Sequence, residues 1–149
     1  MPEWASGSLD IRRAALGLLA RREHSRVELL RKLLRRFPER LALIKEELGV
    51  LSQEGLQSDS RLAEVYVRSR AEQGRGSEKI WAELRKKGVG DEEITAALLK
   101  CDVNWLENLD RVSSRRFGSS SPKSITERAK RSRFFRQRGF SYDEIGTLF

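Results

Sequence analysis

A shift of 51 residues brings the chain into register with itself, and this period limits the fold more than any other feature. Leu33, Leu84 and Phe135 coincide, as do Leu43, Ile94 and Ile145, while Arg36, Lys87 and Arg138 form a basic column. Gly88 and Gly139 share a helix-ending position that Phe37 occupies in the first copy. Each period holds three segments with apolar residues at helical spacing, and none shows the alternation of a half-buried strand. Three stripes per period can close a small three-helix core, and neighbouring cores can then stack.

The spacing predicts nine helices. The first runs near residues 9–22 behind a Ser8 cap, with Ile11, Ala15, Leu18 and Leu19 inward. Ser25 caps the second, striped by Leu29, Leu30, Leu33, Leu34 and Phe37. Pro38 suits the first turn of a third, which carries Leu41, Ile44, Leu48 and Leu51 and stops at Gly55. Ser58 or Asp59 opens a fourth, with Leu62, Val65, Tyr66 and Ser69 facing inward, and Gly74-Arg75-Gly76 breaks it. Ser77 caps a fifth (Ile80, Trp81, Leu84), Gly88 and Gly90 punctuate, and a sixth runs from Asp91 to Lys100 with Ile94, Ala97 and Leu98 inward. A seventh spans 104–117 and an eighth leads from Lys123 or Ser124 to Arg138. Ser141 caps a short ninth bearing Ile145 and Leu148.

The expected fold is therefore all-α, with three tandem three-helix repeats in an elongated, curved array. Residues 1–8 form a flexible N-terminus, with Trp4 ahead of the first helix. The repeats occupy 9–55, 56–103 and 104–149, and a serine-rich connector lies at 118–122.

Composition narrows the function. Against 22 acidic residues stand 30 Lys and Arg, a formal charge of +8, which favours polyanionic partners. That charge is uneven. Residues 1–55 hold 11 basic and 8 acidic side chains, 56–103 hold 9 and 9, and 104–149 hold 10 and 5. The seven-residue apolar run from Ala14 to Ala20 is too short for a membrane span or a signal peptide. The lone Cys101 permits no internal disulfide and suits a reducing cytoplasm. His24, the sole histidine, has no clustered cysteine or second histidine for zinc and sits where it favours a helix C-terminus. The glycine pairs at 74–76 and 88–90 lack the phosphate-loop pattern. Glu46-Glu47 and Glu92-Glu93 are adjacent on helices and point apart. No catalytic constellation is visible, so neither an enzyme nor a cofactor or metal site is expected.

The residues resemble the RecX family of RecA regulators. The middle unit carries Ser58-Asp59, Arg61-Leu62-Ala63-Glu64 and Tyr66-Val67-Arg68-Ser69-Arg70, then Ile80, Glu83-Leu84 and Lys87-Gly88-Val89. The last unit carries Arg116-Phe117-Gly118 and the run Arg133 to Ser141, ending at Ile145. The first matches from Ala15-Leu16 through Leu18 to Ser25, then at Glu28-Leu29 and Leu33. The resemblance implies a monomeric cytoplasmic protein of DNA repair, homologous recombination and the SOS response. Such a protein lies in the groove of the RecA filament and inhibits RecA's ATPase, strand-exchange and coprotease activities. A stand-alone, sequence-nonspecific binder of single- and double-stranded DNA, built of helix-turn-helix-like repeats, is the alternative.

Either reading draws on the same basic residues. Lys123 to Arg138 contains seven cations against Glu127 alone. The candidates for contact with RecA or DNA there are Arg128, Lys130, Arg131, Arg133, Arg136 and Arg138, with Arg115 and Arg116 just before the connector. In the middle unit they are Arg68, Arg70, Arg75, Lys79, Arg85, Lys86 and Lys87, with Asp91 to Glu93 expected on another face. Tyr66, Trp81, Phe117 and Phe135 are read as core aromatics before base-stacking platforms.

Overall fold

The computed structural model describes residues 3–149, with side chains described from Gly7 onward. Those residues form α1 (Glu3–Arg21), α2 (Arg26–Arg36), α3 (Leu41–Gln53), α4 (Asp59–Glu72), α5 (Ser77–Lys86), α6 (Asp91–Cys101), α7 (Trp105–Phe117), α8 (Ile125–Arg138) and α9 (Tyr142–Gly146). No strand occurs among them.

Local chemistry sets most helix starts. Ser25 accepts from the Glu28 amide while Glu28 reaches back to the Ser25 amide, a reciprocal capping box that Ser141 and Glu144 repeat at α9. Ser58, Asn104 and Ser124 each accept from the amide three residues on. Gly76 and Gly90 precede α5 and α6 with extended backbone and no side-chain cap, so Ser77 is the first helical residue rather than the cap.

Three separate apolar clusters form. Ile11, Ala15, Leu29, Leu33, Ile44, Leu48 and Leu51 close the core of α1–α3. Leu62, Ala63, Val67, Ala71, Ile80, Leu84, Val89, Ile94 and Ala97 close that of α4–α6, with Trp81 and Trp105 packed against it. Leu109, Val112, Phe135, Phe140 and Ile145 close that of α7–α9. Dividing the core this way leaves much surface wet. The accessible area is 9505 Å², whereas a compact chain of this mass exposes about 7,800 Å², so the body is extended.

Several expectations fail locally. Helix α1 begins at Glu3, so residues 3–8 are helical, Trp4 lies within the helix, and Ser8 does not cap it. The Ser8 hydroxyl instead donates to Glu47, which also pairs with Arg12 at 2.9 Å. Residues 1 and 2 of the expected flexible terminus lie outside the described residues. Pro38 sits in the turn before α3, which starts at Leu41 behind Arg40. The period slips there too. Ile44, not Leu43, is fully buried, because Phe37-Pro38 needs one more residue than the positive-φ glycines Gly88 and Gly139 to reverse the chain. On α4 the buried side is Leu62, Ala63, Val67 and Ala71, leaving Val65 exposed and Tyr66 half-buried.

Successive units meet at matched positions. At the first joint Gly88 lies against Val27, and the Ser25 hydroxyl donates to the Lys87 carbonyl. One period on, the cap position again meets the carbonyl of the residue before the glycine. Gly139 lies against Lys79, and the amides of Gly76 and Glu78 donate to the carbonyls of Arg138 (2.7 Å) and Gly139 (3.1 Å). A side chain at either glycine would overlap the facing unit, and both hold φ near +90°. The outer ends differ. Phe37 takes the glycine's register in the first unit. Helix α8 is longer at its start, with seven residues from Ser124 to Arg131 where four separate Ser25 from Leu29 and Gly76 from Ile80.

Candidate functional site

The basic residues divide by what already neutralises them. Arg75 pairs with Glu83 at 3.3 Å, Arg85 with Asp91 at 3.4 Å, and Lys87 with Glu28 at 3.2 Å. Asp91 thus meets the basic face instead of standing elsewhere. Lys79 donates to the Gln137 carbonyl, and Arg136 bridges Glu78 and the Phe140 carbonyl, so both side chains hold the second joint. The bond to Glu78 raises the Arg136 pKa further.

Arg131 departs most from its expected role. It stands in the column of Leu29 and Ile80, is 6% exposed, and forms part of the third unit's interior. Its guanidinium meets Glu127 at 2.7 Å and the Ser120 carbonyl at 2.8 Å, and lies 4.8 Å from the Phe117 ring centre. It pins the connector to α8 and is not available to an outside anion. Glu127 is held ionised by the Lys123 amide and by Arg131.

Of the candidate cations, most that remain free lie in the third unit. Arg115, Arg116, Arg128, Lys130 and Arg133 are exposed and have no carboxylate partner among the described residues. Arg116 and Arg138 lie 5.2 and 5.6 Å from the Phe134 ring centre, so two guanidinium groups flank one aromatic. Phe134 packs edge-on against Phe117 and Phe135, and Phe135 is fully buried. In the middle unit only Arg68 and Lys86 are comparably exposed and unpaired among the described residues. No group of three or more metal-ligating side chains exists among the described residues, and no helix there is long and apolar enough to cross a membrane.

The comparisons with known proteins match both the helical units and the full length. Residues 58–98 match the family model for the second three-helix domain of RecX, and residues 102–148 match that for the third. The Regulatory protein RecX of Pseudomonas syringae pv. tomato is 44% identical over 99% of this chain and 95% of its own. The chain belongs to the RecX family. The RecX protein of Halorhodospira halophila is 42% identical over 97% of this chain and 89% of its own. The crystal structure of RecX from Lactobacillus salivarius superposes with a TM-score of 0.77 at 28% identity, covering 97% of this chain and 95% of that one. A second crystal structure, of a regulatory protein RecX, gives a TM-score of 0.71 at 20% identity and speaks for the fold alone.

Around Tyr66 this RecX chain also carries a hollow that helical periodicity does not announce. Leu62, Val65 and Tyr66 line a hollow of about 240 Å³ at the first joint, bordered by Arg22, Arg70 and Lys87. Its signal in the sequence was Val65 itself, an aliphatic residue two positions from the buried Ala63 and Val67.

Proposed function

We propose that the chain binds in the groove of the RecA filament and restrains it, lowering RecA's ATPase, strand-exchange and coprotease activities by binding alone in the cytoplasm. ATP hydrolysis belongs to RecA, and this chain supplies no catalytic group. The family supports a regulatory role. The observation that carries the interface is the set of exposed, unpaired cations of the third unit, Arg115, Arg116, Arg128, Lys130 and Arg133. A filament with its DNA offers phosphates and acidic side chains in one groove, and a cation cluster both steers encounter and slows release.

The test is inhibition of RecA ATPase by a variant in which Arg115, Lys130 and Arg133 become glutamate. Arg131 and Arg136 are left alone because they hold the interior and the second joint. We expect inhibition to need at least about tenfold more protein, with helicity retained. A folded variant that inhibits at wild-type concentration overturns this interface. Stand-alone DNA binding is the second reading, favoured by the same run of exposed, unpaired cations in the third unit. It requires wild-type protein to bind naked DNA tightly while leaving RecA hydrolysis unchanged.

A further inference from the structure

We propose that the hollow at the first joint is a protein-docking pocket for an aliphatic or aromatic side chain borne beside a carboxylate, with Val65 as its apolar contact and Arg70 as its cation. This rests on the filament reading and adds that one part of the surface recognises protein and not nucleic acid.

The floor is apolar. Leu62 is buried, and Val65 is 49% exposed at the mouth, held by no core contact that would account for an aliphatic residue there. The volume, about 240 Å³, accommodates a leucine or phenylalanine side chain. The rim charges are not equivalent. Arg22 and Lys87 both pair with Glu28, and Glu23 pairs with Arg61 at 2.6 Å. Arg70 alone has only neutral partners, Ser69 and Gln73, each at 3.3 Å, and its Nε is buried without an acceptor. A carboxylate brought to the rim meets this guanidinium, whose fork is built for that shape.

Nucleic acid fits this place poorly. Tyr66 is the one aromatic lining it, and Arg70 at 4.6 Å and Lys87 at 5.4 Å already lie over the ring. Its hydroxyl is bonded to Glu83. No open aromatic face remains for a base, and an aliphatic floor gives a phosphate nothing. Counted from the helix caps Ser58 and Asn104, Leu62 corresponds in α7 to Asn108, Val65 to Arg111 and Arg70 to Arg116. The second joint therefore has a cation where the first has an apolar contact, and the two address different chemistry.

Val65→Lys separates apolar docking from simple charge attraction, because it removes the aliphatic contact while adding a positive charge. Full-length wild type, Val65→Lys and Arg70→Gln are titrated against RecA filaments on single-stranded DNA and, separately, against the same DNA without RecA. We expect both variants to bind filaments at least about tenfold more weakly. Naked-DNA affinity should be unchanged or raised for Val65→Lys, and circular dichroism should match wild type. Because Val65 lies at the surface and Arg70 has no ion pair, neither change should unfold the chain. Wild-type filament affinity in both folded variants overturns the pocket. So does an equal loss on naked DNA, which would make the hollow part of a nucleic-acid surface. If wild type itself fails to bind filaments, the filament reading falls, and this inference falls with it.

Discussion

The two joints share a register and differ in what holds them. The first is held largely by side chains. The Ser25 hydroxyl meets the Lys87 carbonyl, Lys87 meets Glu28, and Arg31 reaches the Lys86 carbonyl at 3.2 Å. Gln57 donates to the carbonyl of buried His24 at 3.2 Å, and Asp59 accepts from the Arg26 amide at 2.9 Å. At the second joint the backbone carries the contact, through the Gly76 and Glu78 amides, with Arg136 on Glu78 added outside. One substitution explains the change. Where Ser25 interposes a hydroxyl, Gly76 has no side chain, so the facing carbonyl reaches the amide directly. A repeat protein can thus keep one docking geometry while resting one interface chiefly on side chains and the other chiefly on main-chain bonds.

The largest effect should come from attacking the backbone joint. Gly139→Ala puts a methyl group against Lys79 and the Gly76 carbonyl, at φ +101°. We expect a loss of roughly 2–4 kcal/mol, read as a fall in melting temperature on the order of 10 °C. Gly17→Ala is the control, since its added methyl meets nothing within 4 Å and sits inside α1. It should be neutral or slightly stabilising, by up to about 1 kcal/mol. An equal fall in both would show that the joint is not what Gly139 protects.

Acid should separate the joints next. Burial opposes ionisation of Glu28, but bonds from Arg22, the Ser25 amide and Lys87 outweigh it and hold its pKa at about 2, against 4.5 when unfolded. A carboxyl with a depressed folded pKa lends stability above its unfolded value and loses it as pH falls toward the folded one. His24 is kept neutral by burial, with Lys32 at 2.9 Å from its Nε2, so its pKa lies below 6.5. Its contribution is complete above pH 6.5 and declines below it, because the unfolded chain then binds the proton more readily. Melting temperature should therefore fall first as pH drops below about 6.5 and again below about 4.5. His24→Gln should remove the first step. A melting temperature that stays flat between pH 7 and 4 would count against a titrating first joint.

Ser25→Ala is the mildest of these tests. It removes the helix cap and the bond to Lys87 but leaves Gly88 seated on Val27. The expected cost is about 1–2 kcal/mol, measured by denaturant unfolding. A cost as large as that of Gly139→Ala would erase the distinction between the joints.

Much of the architecture was legible because it depends on local signals. Ser25, Ser58, Asn104, Ser124 and Ser141 announce their helices by side-chain capping, and Leu33, Leu84 and Phe135 mark the repeated core position. What escaped depends on partners distant in sequence or on turn length. Leu43 displaced Ile44 in the alignment because a turn without glycine takes an extra residue. Val65 read as inward because its helical stripe is as regular as that of Ala63 and Val67, and the small alanine gives little hydrophobic signal. The candidate site was legible as a charge cluster but not residue by residue. Arg131 looks like its neighbours in sequence, yet it fills a core position, while Arg75 and Arg85 find acids only once α5 and the turn after it are folded.

Phe37 also sets the first unit apart. The register that seats each later unit on its predecessor requires a residue without a side chain, and in the first unit an aromatic stands there. At the opposite end, α8 carries about one turn more ahead of that register than α2 or α5 does. Both ends therefore depart from the geometry that the two joints share: the first unit offers Phe37, and the last the longer start of α8, where the joints place a glycine against a helix start.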